Sequence, residues 1–104
     1  MNVLADLAAT IAARKTAAAD TSYTASLLAG GIEKCAKKFG EEAVELLLAA
    51  PAGDTAHSAA EAADVLYHLL VLLEASEVSF DEVLDTLAAR QGMSGHAEKA
   101  ARSS

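Results

Sequence analysis

Four carboxylates recur with the same spacing in two segments of the chain. Glu42 and Glu45 are three residues apart, and Glu61 and Asp64 repeat that spacing further along. On a helix, residues three apart face the same way, so each pair would place two like charges side by side. A divalent cation removes the repulsion between them. Because ligands that offer only oxygen favour Mg²⁺ or Mn²⁺ over zinc, the spacing predicts a site for one of these cations.

The same acidic residues could instead form a solvated helix face. In the first segment, Glu41 and its acidic neighbours are typical of such a face, and Lys38 with Glu42 is an ordinary pair one helical turn apart. The second segment changes the balance, because Glu61 and Asp64 interrupt a surface that is otherwise apolar. Burying an ionised carboxylate costs several kcal/mol unless it is paired or binds a metal. We therefore take the four carboxylates together as a candidate metal site.

Other side chains allow two interpretations each. His57 and His68 could bind a metal, although His68 is also typical of a helix residue that a neighbour or the carboxylates satisfy. Cys35 is expected as a small core residue, and Tyr67 as a packing residue. Three lysines ahead of the carboxylates could bind phosphate or simply keep their helix soluble: Lys34, Lys37 and Lys38.

Helices must position these side chains. The 104 residues include 26 alanines and 14 leucines, which are the strongest helix formers, and only one proline. Aromatic residues make up 4% of the chain, and β-branched residues are scarce. We predict a single all-α domain over residues 1–104, a bundle of about five helices, with residues after about 102 frayed. The predicted helices cover residues 2–19, 24–29, 32–50, 55–75 and 80–90, with a last short one over 94–102.

The two central helices are expected to form an antiparallel pair, because only a few residues around Pro51 connect them. On the second of them, apolar side chains cover most of the circumference, which is typical of a buried helix. A partner chain would supply the missing cover, so we expect a homodimer or a larger assembly with the site near the interface. On the first, the predicted apolar stripe comprises Ile32, Ala36, Phe39, Ala43, Leu46, Leu47 and Ala50.

Charge and hydropathy exclude several function classes. The net charge of −7 makes general nucleic-acid binding a poor fit, because phosphate affinity comes mainly from Lys and Arg. The longest apolar run, Val65–Leu73, is too short to span a bilayer, so no membrane partner is expected. The single Cys35 excludes an intrachain disulfide, and no signal peptide is recognisable. We expect a cytoplasmic protein.

The spacing Glu41-Glu42-x-x-Glu45, followed by Glu61-x-x-Asp64, resembles the metal motif of the all-α nucleoside-triphosphate pyrophosphohydrolases, the MazG-like superfamily. The flanking blocks are similar, more narrowly, to the phosphoribosyl-ATP pyrophosphatases of histidine biosynthesis. These blocks are residues 22–28 with Gly31, residues 37–45, residues 61–73, and the tail Ser94-Gly95-x-x-Glu98-Lys99-x-x-Arg102.

The resemblance implies metal-dependent hydrolysis of phosphoribosyl-ATP to phosphoribosyl-AMP and pyrophosphate by a dimeric or larger enzyme. The base that activates water would be Glu41 or Glu45, and the choice between them stays open. The implied ligands of Mg²⁺, or of Mn²⁺ in its place, are Glu42, Glu45, Glu61 and Asp64. Candidate phosphate contacts are Lys38, Arg90, Lys99 and Arg102.

Two other function classes stand as alternatives. A housekeeping MazG-like (d)NTP pyrophosphohydrolase is the nearer one, because a metal motif recognises the triphosphate and not the base or sugar. A non-enzymatic helical oligomerisation module would have no metal requirement and would tolerate changes at Glu61 or Asp64. A ferritin-like di-iron protein is excluded, because its Glu-x-x-His pairs do not occur in this sequence.

Overall fold

The computed structural model describes residues 2–20 and 22–91, and within these ranges it contains α-helices and no strand. The expected all-α fold is therefore confirmed. The predicted helix over 94–102 and the frayed end after 102 lie outside the described residues. The helices are α1 (Val3–Arg14), α2 (Tyr23–Ala29), α3 (Gly31–Ala49), α4 (Thr55–Ala75) and α5 (Phe80–Arg90).

Short polar side chains cap the start of four described helices, and at α1 the Oδ1 of Asn2 accepts a 3.1 Å hydrogen bond from the backbone N–H of Ala5. Ser22, Asp54 and Ser79 each accept a hydrogen bond from the backbone N–H three residues later, at 2.9, 3.0 and 3.1 Å respectively. The first N–H groups of a helix have no partner within it, so such caps stabilise the start. Asp54 and Ser79 stand directly before the helices that the sequence predicts over residues 55–75 and 80–90.

The first helix is shorter than its sequence predicts. It ends at Arg14, whereas the alanine-rich segment predicts helix to about Ala19. Turns follow instead, and one of them is closed by a 3.0 Å bond from the backbone N–H of Ala17 to the carbonyl of Arg14. Helix propensity is a weak preference, and here it yields to a reversal of the chain that lets α2 pack against α3 and α4.

Helices α3 and α4 form the antiparallel pair that the sequence predicts, and they are the most extensively packed helices in the described part of the chain. A turn over residues 50–54 joins them. Gly53 adopts φ +81° there, in the left-handed region that favours glycine. The short connection brings the carboxylate-bearing segments of the two helices side by side.

The hydrophobic core lies where α1 and α2 pack on this pair. Cys35 is 1% exposed, and its thiol donates a 3.2 Å hydrogen bond to the carbonyl of Leu27. The expectation that Cys35 is a core residue is therefore confirmed. No described helix is both long enough and apolar enough to cross a membrane. The fully buried core cluster consists of Ile11, Leu27, Cys35, Leu70 and Val71.

The face that α3 buries differs from the predicted apolar stripe. Its buried residues are Cys35, Glu42 and Ala49, which are seven apart and so lie on one line of the helix. Ile32 and Leu47 were expected in the stripe but are 53% and 69% exposed. The prediction was wrong because it assumed that the largest apolar side chains of α3 are the buried ones. The line of α3 that packs against the other helices instead carries small or polar residues. Several bulky side chains lie beside this line and are exposed, among them Ile32, Leu47 and Leu48.

Candidate metal centre

Three of the four predicted metal ligands converge across the α3–α4 pair. Glu42, Glu45 and Glu61 each place one carboxylate oxygen within 4.8 Å of the other two. Glu42 and Glu45 come from adjacent turns of α3, and Glu61 faces them from α4. Asp64 lies one turn beyond Glu61, is exposed, and is not part of this set. Its role as a ligand stays a prediction.

Glu42 is the most buried of the three carboxylates, at 7% exposure. Its Oε1 lies 3.4 Å from the Nζ of Lys38, so the ion pair expected one helical turn apart is present. The hydrogen bond to Glu42 raises the pKa of Lys38, which keeps the ammonium charged beside the site. One cation of the chain therefore already stands at the edge of the carboxylate set.

Glu61 has one satisfied oxygen and one unsatisfied oxygen. Its Oε1 is 3.1 Å from the Nε2 of His57. Its Oε2 is buried and has no hydrogen-bond partner among the described residues. Buried polar atoms in proteins nearly always have a partner, so this oxygen is available to a ligand that accepts its lone pairs. Hard carboxylate oxygens are the donors that Mg²⁺ and Mn²⁺ prefer, so these residues fit such a cation.

The other predicted site residues lie at different distances from this centre. The carboxylate of Glu41 is 50% exposed and 3.8 Å from the Nζ of Lys38, outside the converging set. Arg90 is the exposed last residue of α5 and does not line the cavity beside the carboxylates. Lys99 and Arg102 lie outside the described residues.

A cavity of about 440 Å³ opens beside the carboxylates. Glu45, Glu61 and His57 form its polar side, and the apolar remainder of its lining is Leu48, Ala49 and Ala52. Small ligands commonly bind in cavities of about this size with an apolar lining and a few polar groups. The cavity therefore offers room for a ligand in direct reach of the carboxylate cluster.

A hydrogen-bonded pair that the sequence analysis missed lies on the other side of Asp64. The ring of His68 is buried, and its Nδ1 lies 2.7 Å from the carbonyl oxygen of Asp64, which can only accept. Nδ1 therefore carries a proton, and in the neutral tautomer Nε2 accepts from the hydroxyl of Tyr23 at 3.1 Å. Burial raises the pKa of Tyr23, which favours the protonated, donating hydroxyl.

Hydrogen bonds between α2 and α4 show the partner of His68 and the role of Tyr67. Of the two interpretations of His68, metal ligand or helix residue hydrogen-bonded by a neighbour, the structure shows the second. The neighbour is Tyr23 of α2. Tyr67 packs against the core cluster, and its hydroxyl hydrogen-bonds that of Thr24. The two tyrosine hydroxyls tie α2 to α4. A buried histidine signals that some partner must exist, but only the packing of α2 identifies Tyr23.

Comparison with known proteins agrees with the geometry of the site. The family profile described as phosphoribosyl-ATP pyrophosphohydrolase matches residues 4–91. A protein of Ruegeria pomeroyi named phosphoribosyl-ATP pyrophosphatase is 62% identical over 102 residues, covering 98% of this chain and 97% of the relative. Proteins of the same name from Cereibacter sphaeroides and Dinoroseobacter shibae are also 62% identical, over 98% of this chain and 99% and 100% of theirs. The chain belongs to the phosphoribosyl-ATP pyrophosphohydrolase family.

Proposed function

We propose that this chain hydrolyses phosphoribosyl-ATP to phosphoribosyl-AMP and pyrophosphate in histidine biosynthesis, with Mg²⁺ or Mn²⁺ as its cofactor. The names of its close relatives support the substrate. The observation that carries the metal requirement is the convergence of Glu42, Glu45 and Glu61, one of which, Glu61, also has a buried oxygen without a partner among the described residues. A solvated acidic face would not bury Glu42 or leave Oε2 of Glu61 buried and unsatisfied.

In this proposal the carboxylates of α3 and α4 hold the cation. Glu42, Glu45 and Glu61 supply one oxygen each, and Asp64 joins them from the next turn of α4. When bound, the cation would neutralise the negative charge that develops on phosphate oxygens as the α–β anhydride breaks. The protein's part is to fix these oxygens in a partly buried groove, so that little rearrangement is needed during the reaction.

We propose Glu45 as the base that takes a proton from the attacking water. Glu45 is exposed, belongs to the converging set and lines the cavity, so a water at its carboxylate would face a bound substrate. Glu41 instead pairs with Lys38 outside that set. Glu45→Gln should therefore lower kcat much more than Glu41→Gln, and the reverse order would assign the base to Glu41.

Cations of the chain would bind the phosphates of the substrate. Lys38 is placed for this role, because it lies at the edge of the carboxylate set and its ammonium is charged. Arg90, Lys99 and Arg102 complete the proposed phosphate contacts. Such local cations reconcile an acidic chain with a substrate that carries several negative charges.

We also propose that the enzyme is a homodimer or larger, with apolar faces of α3 and α4 at the interface. Val44, Leu47 and Leu48 on α3 are 52%, 69% and 71% exposed, and Leu66 on α4 is 42% exposed. Uncovered apolar side chains of this density are typical of an interaction surface. The Cα radius of gyration is 15.8 Å, above the roughly 13 Å expected of a compact chain of this length. Both observations support a second chain that covers these helices.

Light scattering on two matched variants tests the assembly. Leu47→Glu places a charge on the proposed interface and should give an inactive monomer, whereas Val3→Glu, at a similarly exposed position on α1, should leave the assembly intact. A fully active monomer would contradict the proposal. Mixed dimers of Asp64→Asn and Arg102→Ala subunits then test whether the two chains share each site. If they do, one of the two sites carries both changes and the other carries neither, so about half of the activity should return. If each site belongs to one chain, no activity should return.

A competition assay tests the substrate. The protein is incubated with phosphoribosyl-ATP and Mg²⁺ in the presence of dATP, dCTP and dUTP, and the products are separated. We expect phosphoribosyl-AMP and pyrophosphate, with the deoxynucleotides left intact. Preferential hydrolysis of a deoxynucleotide would instead support the housekeeping (d)NTP pyrophosphohydrolase, and no hydrolysis of any of them would support the oligomerisation module.

A further inference from the structure

His57 reaches the metal centre from the first turn of α4. Its Nε2 lies 3.1 Å from Oε1 of Glu61, one helical turn further along. The backbone N–H of His57 donates a 3.0 Å hydrogen bond to the capping carboxylate of Asp54, which fixes this turn. The ring itself is largely exposed, at 57%, whereas the Glu61 side chain is only 14% exposed. An exposed group thus holds one oxygen of a mostly buried carboxylate.

The direction of this hydrogen bond follows from the chemistry of its partners. A carboxylate oxygen only accepts, so Nε2 of His57 carries the proton whether the imidazole is neutral or charged. His57 is also absent from the set of converging ligand atoms, which contains oxygens of glutamates alone. The ring is therefore placed as a donor to Glu61 and not as a ligand of the cation.

We infer that His57 is a positioning residue of the metal centre, which holds Oε1 of Glu61 so that the unpartnered Oε2 remains for the cation. This inference rests on the metal-dependent function proposed above. A free glutamate side chain has several rotamers, and binding a metal would freeze them. The hydrogen bond from His57 restricts Glu61 in advance, so less freedom is lost when the cation binds. Partners that hydrogen-bond a metal ligand in this way commonly tune metal affinity.

Binding of Mn²⁺ to the purified full-length protein, followed by electron paramagnetic resonance, tests this role without any substrate. His57→Ala should weaken Mn²⁺ binding about tenfold. His57→Gln keeps an N–H donor at a similar reach and should stay within about twofold of wild type. Thr55→Ala, a neighbouring exposed position in the same turn, is the control and should bind like wild type.

Two outcomes would overturn the inference. One is Mn²⁺ binding by His57→Ala that equals that of the Thr55→Ala control. The other is a His57→Gln variant as weak as His57→Ala, which would make the imidazole a ligand and not a donor. Adding His57→Ala to Glu61→Gln should have no further effect on Mn²⁺ binding, and a further tenfold loss would also contradict positioning through Glu61.

The readouts keep this inference separate from the proposed function. If His57→Ala weakens Mn²⁺ binding and the wild type hydrolyses no phosphoribosyl-ATP, the positioning role stands and the proposed substrate fails. If the wild type hydrolyses phosphoribosyl-ATP and His57→Ala binds Mn²⁺ normally, the function stands and the positioning role fails. In the enzyme, His57→Ala should need more Mg²⁺ for half-maximal rate and regain nearly the wild-type kcat when Mg²⁺ is saturating.

Discussion

Replacing Tyr23 by Phe removes a single oxygen whose loss should be measurable in the stability of the protein. The hydroxyl of Tyr23 is the donor to Nε2 of His68, and the His68 ring is buried. His68 cannot turn to another partner without giving up the bond from its Nδ1 to the carbonyl of Asp64. Tyr23→Phe therefore leaves a buried acceptor unsatisfied, in a site shaped for the tyrosine.

The expected loss can be worked from these contacts. An unsatisfied buried acceptor costs about 1–3 kcal/mol, and the half-exposed position of Tyr23 lets water approach, which favours the lower part of that range. We expect a loss of about 1–2 kcal/mol in the free energy of unfolding. For a domain of this size, that corresponds to a fall of about 5–10 °C in Tm.

Thermal and urea unfolding at one fixed protein concentration measure the effect. Tyr67→Phe is the control: it removes the same atom in the same layer, but the hydroxyl of Thr24 left behind is free to rotate, so the loss should be smaller. Nitrogen-15 NMR of wild-type His68 should find the proton on Nδ1. A Tyr23→Phe variant as stable as Tyr67→Phe, or a proton on Nε2, would refute the reasoning.

The remaining predictions concern the carboxylates, a cation and the buried thiol. Glu42→Gln or Asp64→Asn should abolish nearly all Mg²⁺-dependent turnover while circular dichroism shows an intact helical fold; substantial activity in either would remove that residue from the metal centre. Lys38→Ala should raise KM for phosphoribosyl-ATP more than it lowers Tm, and the opposite pattern would make Lys38 structural. Burial raises the pKa of the Cys35 thiol above its usual 9.0. The folded state therefore disfavours the thiolate, and the contribution of Cys35 to stability is complete below pH 9.0 and is lost as pH rises toward the folded pKa. Urea unfolding at a series of pH values should show that the free energy of unfolding falls above pH 9.0 and that Cys35→Ala reduces this fall. The same fall in the variant as in the wild type would contradict the prediction.

Local signals in the sequence were sufficient for most of the helices and for three of the four carboxylates of the candidate metal centre. Capping residues and the break after α3 locate the helix ends to within a few residues, except for α1, where alanine propensity extends the prediction too far. The spacing of Glu42, Glu45 and Glu61, together with the short α3–α4 connection, predicts their convergence because helix geometry and antiparallel packing are both local consequences of sequence.

Features that depend on packing between distant segments were beyond that reasoning. The buried line of α3 passes through Glu42, and no hydrophobic pattern selects a line that contains a carboxylate. Tyr23 becomes a partner of His68 only once α2 lies on α4, 45 residues away in sequence. That Oε2 of Glu61 is buried without a partner among the described residues is likewise evident only in the packed structure. Apolar periodicity also cannot separate a face that the chain itself covers from one left for a second chain.

The most direct test of the account follows the phosphorus atoms of the substrate. Phosphorus-31 NMR of phosphoribosyl-ATP with the wild-type protein and Mg²⁺ should show the triphosphate signals replaced by those of pyrophosphate and a nucleoside monophosphate, without inorganic phosphate. EDTA or Glu61→Gln should stop the conversion. Release of inorganic phosphate, or continued turnover with EDTA present, would contradict a metal-dependent cleavage of the α–β anhydride at these carboxylates.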